Sequence, residues 1–161
     1  MIENFLSFLS FSLFKENKNI TNISDIDEII SESRAQTIFP LIYFALDGQY
    51  NLTEYRSEYY NIITQNVKIT EEHKTLHRLL SKNNIDYVFL KGCASAEYYP
   101  DPLLRTIGHV DFLIKEQDIK KTIDILLQNG YATNDDFSGI HIAFENSANH
   151  TLVELHRSIN G

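Results

Sequence analysis

The hydrophobic period changes once along the chain, near residue 84, and that change constrains the fold more than any other feature. Up to about residue 83 the apolar residues recur mostly at three- and four-residue steps, the spacing of a helix face. From Ile85 onward they gather in short runs rich in β-branched and aromatic residues, bounded by Asn, Gly and Pro. The expectation is an α+β fold: a helical region over residues 1–83, then a core with a small mixed β-sheet over residues 84–161.

In the helical region, Ile2, Phe5, Leu6, Leu9 and Leu13 fall on one side of an amphipathic first helix. A polar loop runs from Lys15 to Ser24, and Ser24 or Asp25 is placed to cap the next helix. Its stripe is Ile26, Ile29, Ile30, Ala35, Ile38 and Leu41. Pro40 is expected to kink or divide it and Asp47–Gly48 to end it. A long helix follows from about Thr53 to Leu80, with Tyr55, Tyr59, Ile62, Ile63, Val67, His73, Leu76 and Leu80 as its packed face.

The second half reads as strand, helix, strand, helix, hairpin. Ile85–Leu90 is a strand and Ser95–Tyr99 a short helix stopped by Pro100–Asp101–Pro102. His109–Ile114 is a second strand. Asp118–Gln128 is an amphipathic helix with Ile119, Ile123, Leu126 and Leu127 inward and Asn129–Gly130 as its stop. Gly139–Phe144 and Thr151–His156 form a hairpin around Asn146–Asn149.

Composition removes several function classes. A formal net charge of −8 disfavours a general nucleic-acid binder, although a local basic pocket for phosphate stays open. A single cysteine, Cys93, excludes an intramolecular disulfide framework and a multi-cysteine zinc site, and it reads as a small packed residue. Of the six histidines only His73 and His77 lie one helical turn apart, with no third ligand beside them. No stretch is long and apolar enough to span a membrane, and the start lacks a basic segment and a cleavage site. The Asn-x-Ser/Thr triplets at Asn19, Asn22, Asn51 and Asn149 read as accidental, and a cytoplasmic location is the expectation.

Three stretches carry candidate chemistry. In Leu90–Ser95 a strand runs into a tight turn, where Gly92 permits close backbone approach and Lys91 offers a cation for phosphate oxygens. In Arg105–Leu113, His109 and Asp111 are two apart on one strand and share a face. Asp111 is flanked by Val110 and Phe112, so its carboxylate needs a partner such as a cation or a ring of donors; the plain solution is a strand-end salt bridge to Arg105 or Lys91. In Leu152–Arg157, Glu154 and His156 share a face of the last strand. On that stretch alone, an ordinary alternating strand explains the pattern, and His141 and His156 read as structural histidines.

Taken in order, Leu90–Lys91–Gly92, Tyr99–Pro100–Asp101–Pro102, Leu104–Arg105, Gly108–His109–Val110–Asp111–Phe112–Leu113, Gln128–Asn129–Gly130–Tyr131 and Val153–Glu154–Leu155–His156 resemble the uncharacterised nucleotidyltransferase family of the DNA-polymerase-β-like superfamily. The resemblance covers about residues 72–157. It implies transfer of a nucleoside monophosphate from an NTP to an acceptor hydroxyl, on a small molecule, a protein or RNA, by a two-metal mechanism using Mg²⁺ or Mn²⁺. It also implies Asp111 and Glu154 as catalytic metal ligands, with His109 at the position of the third, and Lys91, Gly92 and Arg105 as nucleotide contacts.

His109 stands where the family motif has its first aspartate. Imidazole is a poor ligand for Mg²⁺ and brings no negative charge, so metal binding and turnover are expected to be impaired. The alternative is an inactive nucleotidyltransferase fold that binds a nucleotide or a protein. The chain stops at Gly161, where relatives continue into further helices. A shortened domain would have an open cleft and apolar surface favouring a homodimer.

Overall fold

Short β-rich runs must pair to satisfy their backbone, while amphipathic helices must bury one stripe; the chain meets these demands in two separate units. The computed structural model describes residues 2–15, 26–134 and 139–158. One unit comprises residues 1–66 and 96–106, the other residues 67–95 and 107–161.

The first unit holds α1 (Ile2–Phe14), α2 (Ile26–Ala35), α3 (Phe39–Leu46) and the N-terminal part of α4 (Arg56–Lys82). Its core is built from Phe5, Phe8, Ile29, Ile30, Phe39 and Leu46, among others. On α1 the buried stripe is Phe5, Phe8 and Ser12, whereas Leu6, expected to face inward, is 54% exposed. Ser12 can lie inside because its hydroxyl donates to the Phe8 carbonyl (2.7 Å), its second contact being the Leu41 carbonyl (3.2 Å). The expected capping residues Ser24 and Asp25, and the polar loop before them, lie outside the described residues.

Pro40 does not divide a helix. The chain breaks earlier, at Thr37, whose φ is 57°, and Pro40 sits in the first turn of α3, where a missing N–H leaves no bond unmade. Tyr43 of α3 stacks on Tyr59 of α4 with centroids 4.3 Å apart. Further along α4 the fully buried Asn66 donates to the carbonyls of Leu103 (2.6 Å) and Arg105 (2.8 Å). This amide therefore pins the 96–106 segment, a role that hydrophobic spacing does not reveal.

The second unit is a five-stranded mixed sheet with the C-terminal part of α4 and α6. Along the chain come β1 (Tyr87–Leu90), α5 (Gly92–Ala96), β2 (Val110–Ile114), α6 (Ile119–Gln128), β3 (Tyr131–Ala132), β4 (His141–Asn146) and β5 (Leu152–His156). The spatial order is β1-β2-β5-β4-β3. Only β2 and β5 are parallel; the other neighbours run antiparallel. The α+β expectation, a helical N-terminal region with a mixed sheet, is met. The sheet has one strand more than expected, because Tyr131–Ala132, directly after Gly130 (φ 85°), pairs with β4. A two-residue strand carries no alternation for a sequence reading to detect.

One face of the sheet is apolar and covered: Val110, Phe112, Ile142, Phe144, Val153 and Leu155 are all buried. On α6 the inward residues are Ile119, Thr122, Ile125 and Leu126, while Leu127, expected inward, is 45% exposed. Thr122 is tolerated there because its hydroxyl donates to the Asp118 carbonyl (2.9 Å). On α4, Glu72 is almost wholly buried and accepts from the Tyr131 hydroxyl and from the amides of Asn146 and Asn149, both at 2.8 Å. Burial, followed by the bond to Glu72, pushes the Tyr131 phenol well above its usual range, so it stays a neutral donor.

Candidate active site

Side-chain parity places the polar residues of β2 and β5 on the face opposite the apolar core. Asp111 and Leu113 point one way, Val110, Phe112 and Ile114 the other; on β5, Glu154 and His156 alternate with Val153 and Leu155. The parallel register then sets Asp111 directly beside Glu154, and Leu113 beside His156. In the antiparallel neighbour β4, His141 pairs with His156 and Ala143 with Glu154.

His109 lies one residue before β2 and completes the cluster. Its Nε2 is 3.2 Å from Asp111 Oδ2 and 3.8 Å from Glu154 Oε2. Ligand atoms of His109, Asp111 and Glu154 all lie within 4.8 Å of one another, the spread of a metal-binding group. The Asp111 side chain is 3% exposed, against 26% for Glu154 and 37% for His109. A carboxylate so deeply placed needs cationic or N–H partners, and Asp111 has three. Besides His109, His156 Nε2 lies 2.8 Å from its Oδ1, and Lys91 Nζ lies 3.8 Å from the same oxygen. Because a carboxylate only accepts, His156 presents Nε2–H to it. Of the two salt-bridge partners considered for Asp111, Lys91 occupies the role.

Lys91 and Gly92 form the turn between β1 and α5, with φ of 41° and 34°. Consecutive left-handed residues bend the chain sharply; Lys91 bears the strain of a side chain at such a φ, and glycine at the second position avoids adding it again. Steric room is not the reason: a Cβ on Gly92 would meet the His109 carbonyl oxygen and Ile107 Cγ2 at 3.5 Å, ordinary contact. That closeness also shows that the turn packs against the backbone carrying His109.

Of the other sequence candidates, Arg105 belongs to the first unit. There its Nη1 lies 3.4 Å from the Thr106 carbonyl and its own carbonyl is held by Asn66. His73 and His77 do not form a ligand pair. His73 packs against Phe89 with centroids 3.6 Å apart, and His77 Nδ1 bonds the Tyr87 hydroxyl. Cys93 is half-buried in the first turn of α5. His156, read from sequence as structural, lies against both carboxylates. Its position two residues after Glu154 on one strand was the available signal.

A mixed sheet whose central parallel strands hold paired carboxylates, with a glycine turn beside them, defines a nucleotidyltransferase-like α+β domain. The sequence agrees over most of its length: the model of the uncharacterised nucleotidyltransferase family matches residues 22–161, and the chain belongs to that family. No curated protein matches it. Among the described residues no helix is long and apolar enough to cross a membrane.

Proposed function

We propose that the domain transfers a nucleoside monophosphate from a nucleoside triphosphate to an acceptor hydroxyl, with release of pyrophosphate, and that His109 holds the rate well below that of a three-carboxylate centre. The supporting observation is the convergence of Asp111, Glu154 and His109, with ligand atoms within 4.8 Å of one another. The donor set fits a divalent cation: two carboxylates bring charge and hard oxygens, and imidazole is a ligand that first-row transition ions accept. Asp111, Glu154 and His109 would hold it. When bound, such an ion offsets triphosphate charge and acidifies the acceptor hydroxyl.

The chain's own groups supply the rest. Lys91 is 69% exposed, so its ammonium can turn from Asp111 to a phosphate oxygen with little desolvation cost. The Lys91–Gly92 turn carries no β-carbon at its second residue, so its backbone can approach the triphosphate closely. His109 already lies against both carboxylates, and this favours the second reading, a domain that binds nucleotide without turnover.

Titration of a non-hydrolysable NTP with Mg²⁺ and then Mn²⁺ reads binding, and pyrophosphate release from the ordinary NTP reads turnover; both are measured on this chain and its His109→Asp variant. Metal-dependent binding is expected in each, with transfer to acceptor roughly 100-fold faster in the variant, the scale of restoring one preorganised electrostatic group. Binding without turnover in either form selects the binding module. No binding in either form overturns the reading.

A further inference from the structure

We propose that His156 is a fourth ligand of this centre, and that the protein alone holds one transition divalent cation of the zinc or cobalt kind there in preference to Mg²⁺. The inference rests on the reading of Asp111, Glu154 and His109 as a metal site, and adds the fourth donor and the identity of the ion.

The geometry links each imidazole to both carboxylates. His156 Nε2 is 2.8 Å from Asp111 Oδ1 and 3.6 Å from Glu154 Oε2, while His109 Nε2 is 3.2 Å from Asp111 Oδ2 and 3.8 Å from the same Glu154 oxygen. Two donors each about 2.0–2.1 Å from a tetrahedral ion stand roughly 3.3 Å apart. The four nitrogen–oxygen separations bracket that edge. The two histidines meet different oxygens of Asp111, and His156 lies outside the group of three whose ligand atoms are within 4.8 Å of one another, so His156 would reach a shared ion by a shift of its side chain. The imidazoles approach from both sides of Asp111, one toward each carboxylate oxygen. Such an ion would be met by neutral rings that turn the lone pair of each Nε2 inward.

Charge and ligand chemistry select the ion. Two carboxylates balance a single dication, and two neutral imidazoles add none. Mg²⁺ prefers oxygen ligands in near-ideal octahedral geometry, whereas zinc and its neighbours bind imidazole well. The only lysine against the pair among the described residues, Lys91, is 69% exposed and can swing away as the ion enters. His156 is held for the role: its side chain is 14% exposed, and the His141 ring lies beside it with centroids 5.6 Å apart.

The test uses the full chain stripped of metal with a chelator and labelled with nitrogen-15 at histidine. One equivalent of Zn²⁺ is expected to shift the ring-nitrogen signals of two of the six histidines. One signal is assigned by its loss in His109→Gln and the other by its loss in His156→Gln; His141→Gln keeps both. His156→Gln is expected to weaken Zn²⁺ binding by roughly 100-fold, at the upper end of what even an outer ligand's partner costs. Mg²⁺ in hundredfold excess should not displace Co²⁺, followed by its visible absorption. A zinc shift at His109 alone, with unchanged affinity in His156→Gln, overturns the proposal and leaves the three-residue metal reading standing. Equal competition by Mg²⁺ also overturns it. If neither this chain nor His109→Asp binds any divalent ion, with or without nucleotide, both readings fall. The count of shifted histidines in the unsubstituted chain needs no variant to fold.

Discussion

Asp111 and Glu154 are direct neighbours across the parallel β2–β5 pair, each pointing away from the apolar core and toward the imidazoles of His109 and His156. Every electrostatic property of the centre follows from that adjacency. Two carboxylates side by side repel unless cations or N–H donors stand between them.

Replacing Asp111 by Asn keeps the shape and removes half of the carboxylate charge. Metal-dependent binding of an NTP analogue should weaken by about 100-fold or more, as expected for loss of a direct ligand rather than of its outer partner. Calorimetric titration measures the loss, and an unchanged circular dichroism spectrum shows that the fold remains.

Gly92→Ala tests the turn. With φ at 34° and only ordinary contacts awaiting a β-carbon, the penalty is conformational, about 1–2 kcal/mol. Urea unfolding reads it directly. A loss beyond about 3 kcal/mol would mean that crowding contributes as well.

Glu72→Ala removes the acceptor shared by Tyr131, Asn146 and Asn149. Three donors then lose their partner, one of them on a buried tyrosine, and the expected cost is about 2–4 kcal/mol. The β4–β5 turn should lose protection in hydrogen exchange before β2 does, because the two asparagines are what tie that turn to α4.

His73 makes stability pH-dependent. Burial, with a smaller contribution from His77, lowers its pKa from the ordinary 6.5. The unfolded chain therefore takes up the proton first as pH falls. Stability from this group is complete above the ordinary value, declines as pH drops below it, and is fully lost once the lowered folded value is passed. Its Nε2 is buried without a hydrogen-bond partner, so His73→Phe loses no bond made by that atom. That variant should flatten the decline that sets in below the ordinary histidine value of 6.5 in thermal unfolding.

Much of the site was legible because strand parity is a local property. Once β2 and β5 are recognised, His109 with Asp111 and Glu154 with His156 must share faces, whatever the strands pack against. The family motifs then supplied the order Lys–Gly, Asp, Glu. Helix faces were less legible where a polar residue is buried. Ser12, Asn66, Glu72 and Thr122 all lie inside, each satisfied by a bond that hydrophobic spacing does not encode, while Leu6 and Leu127 stay outside.

By itself, then, the sequence determined where helix gives way to sheet, which strand residues face together and that the chain carries nucleotidyltransferase motifs, all consequences of local period and residue type. The tertiary structure alone decided that β5 inserts beside β2 in parallel, that Glu154 thereby meets Asp111, and that His156 reaches both carboxylates. Those are facts of strand order and register. They arise from long-range pairing between segments whose own sequences are equally compatible with other neighbours.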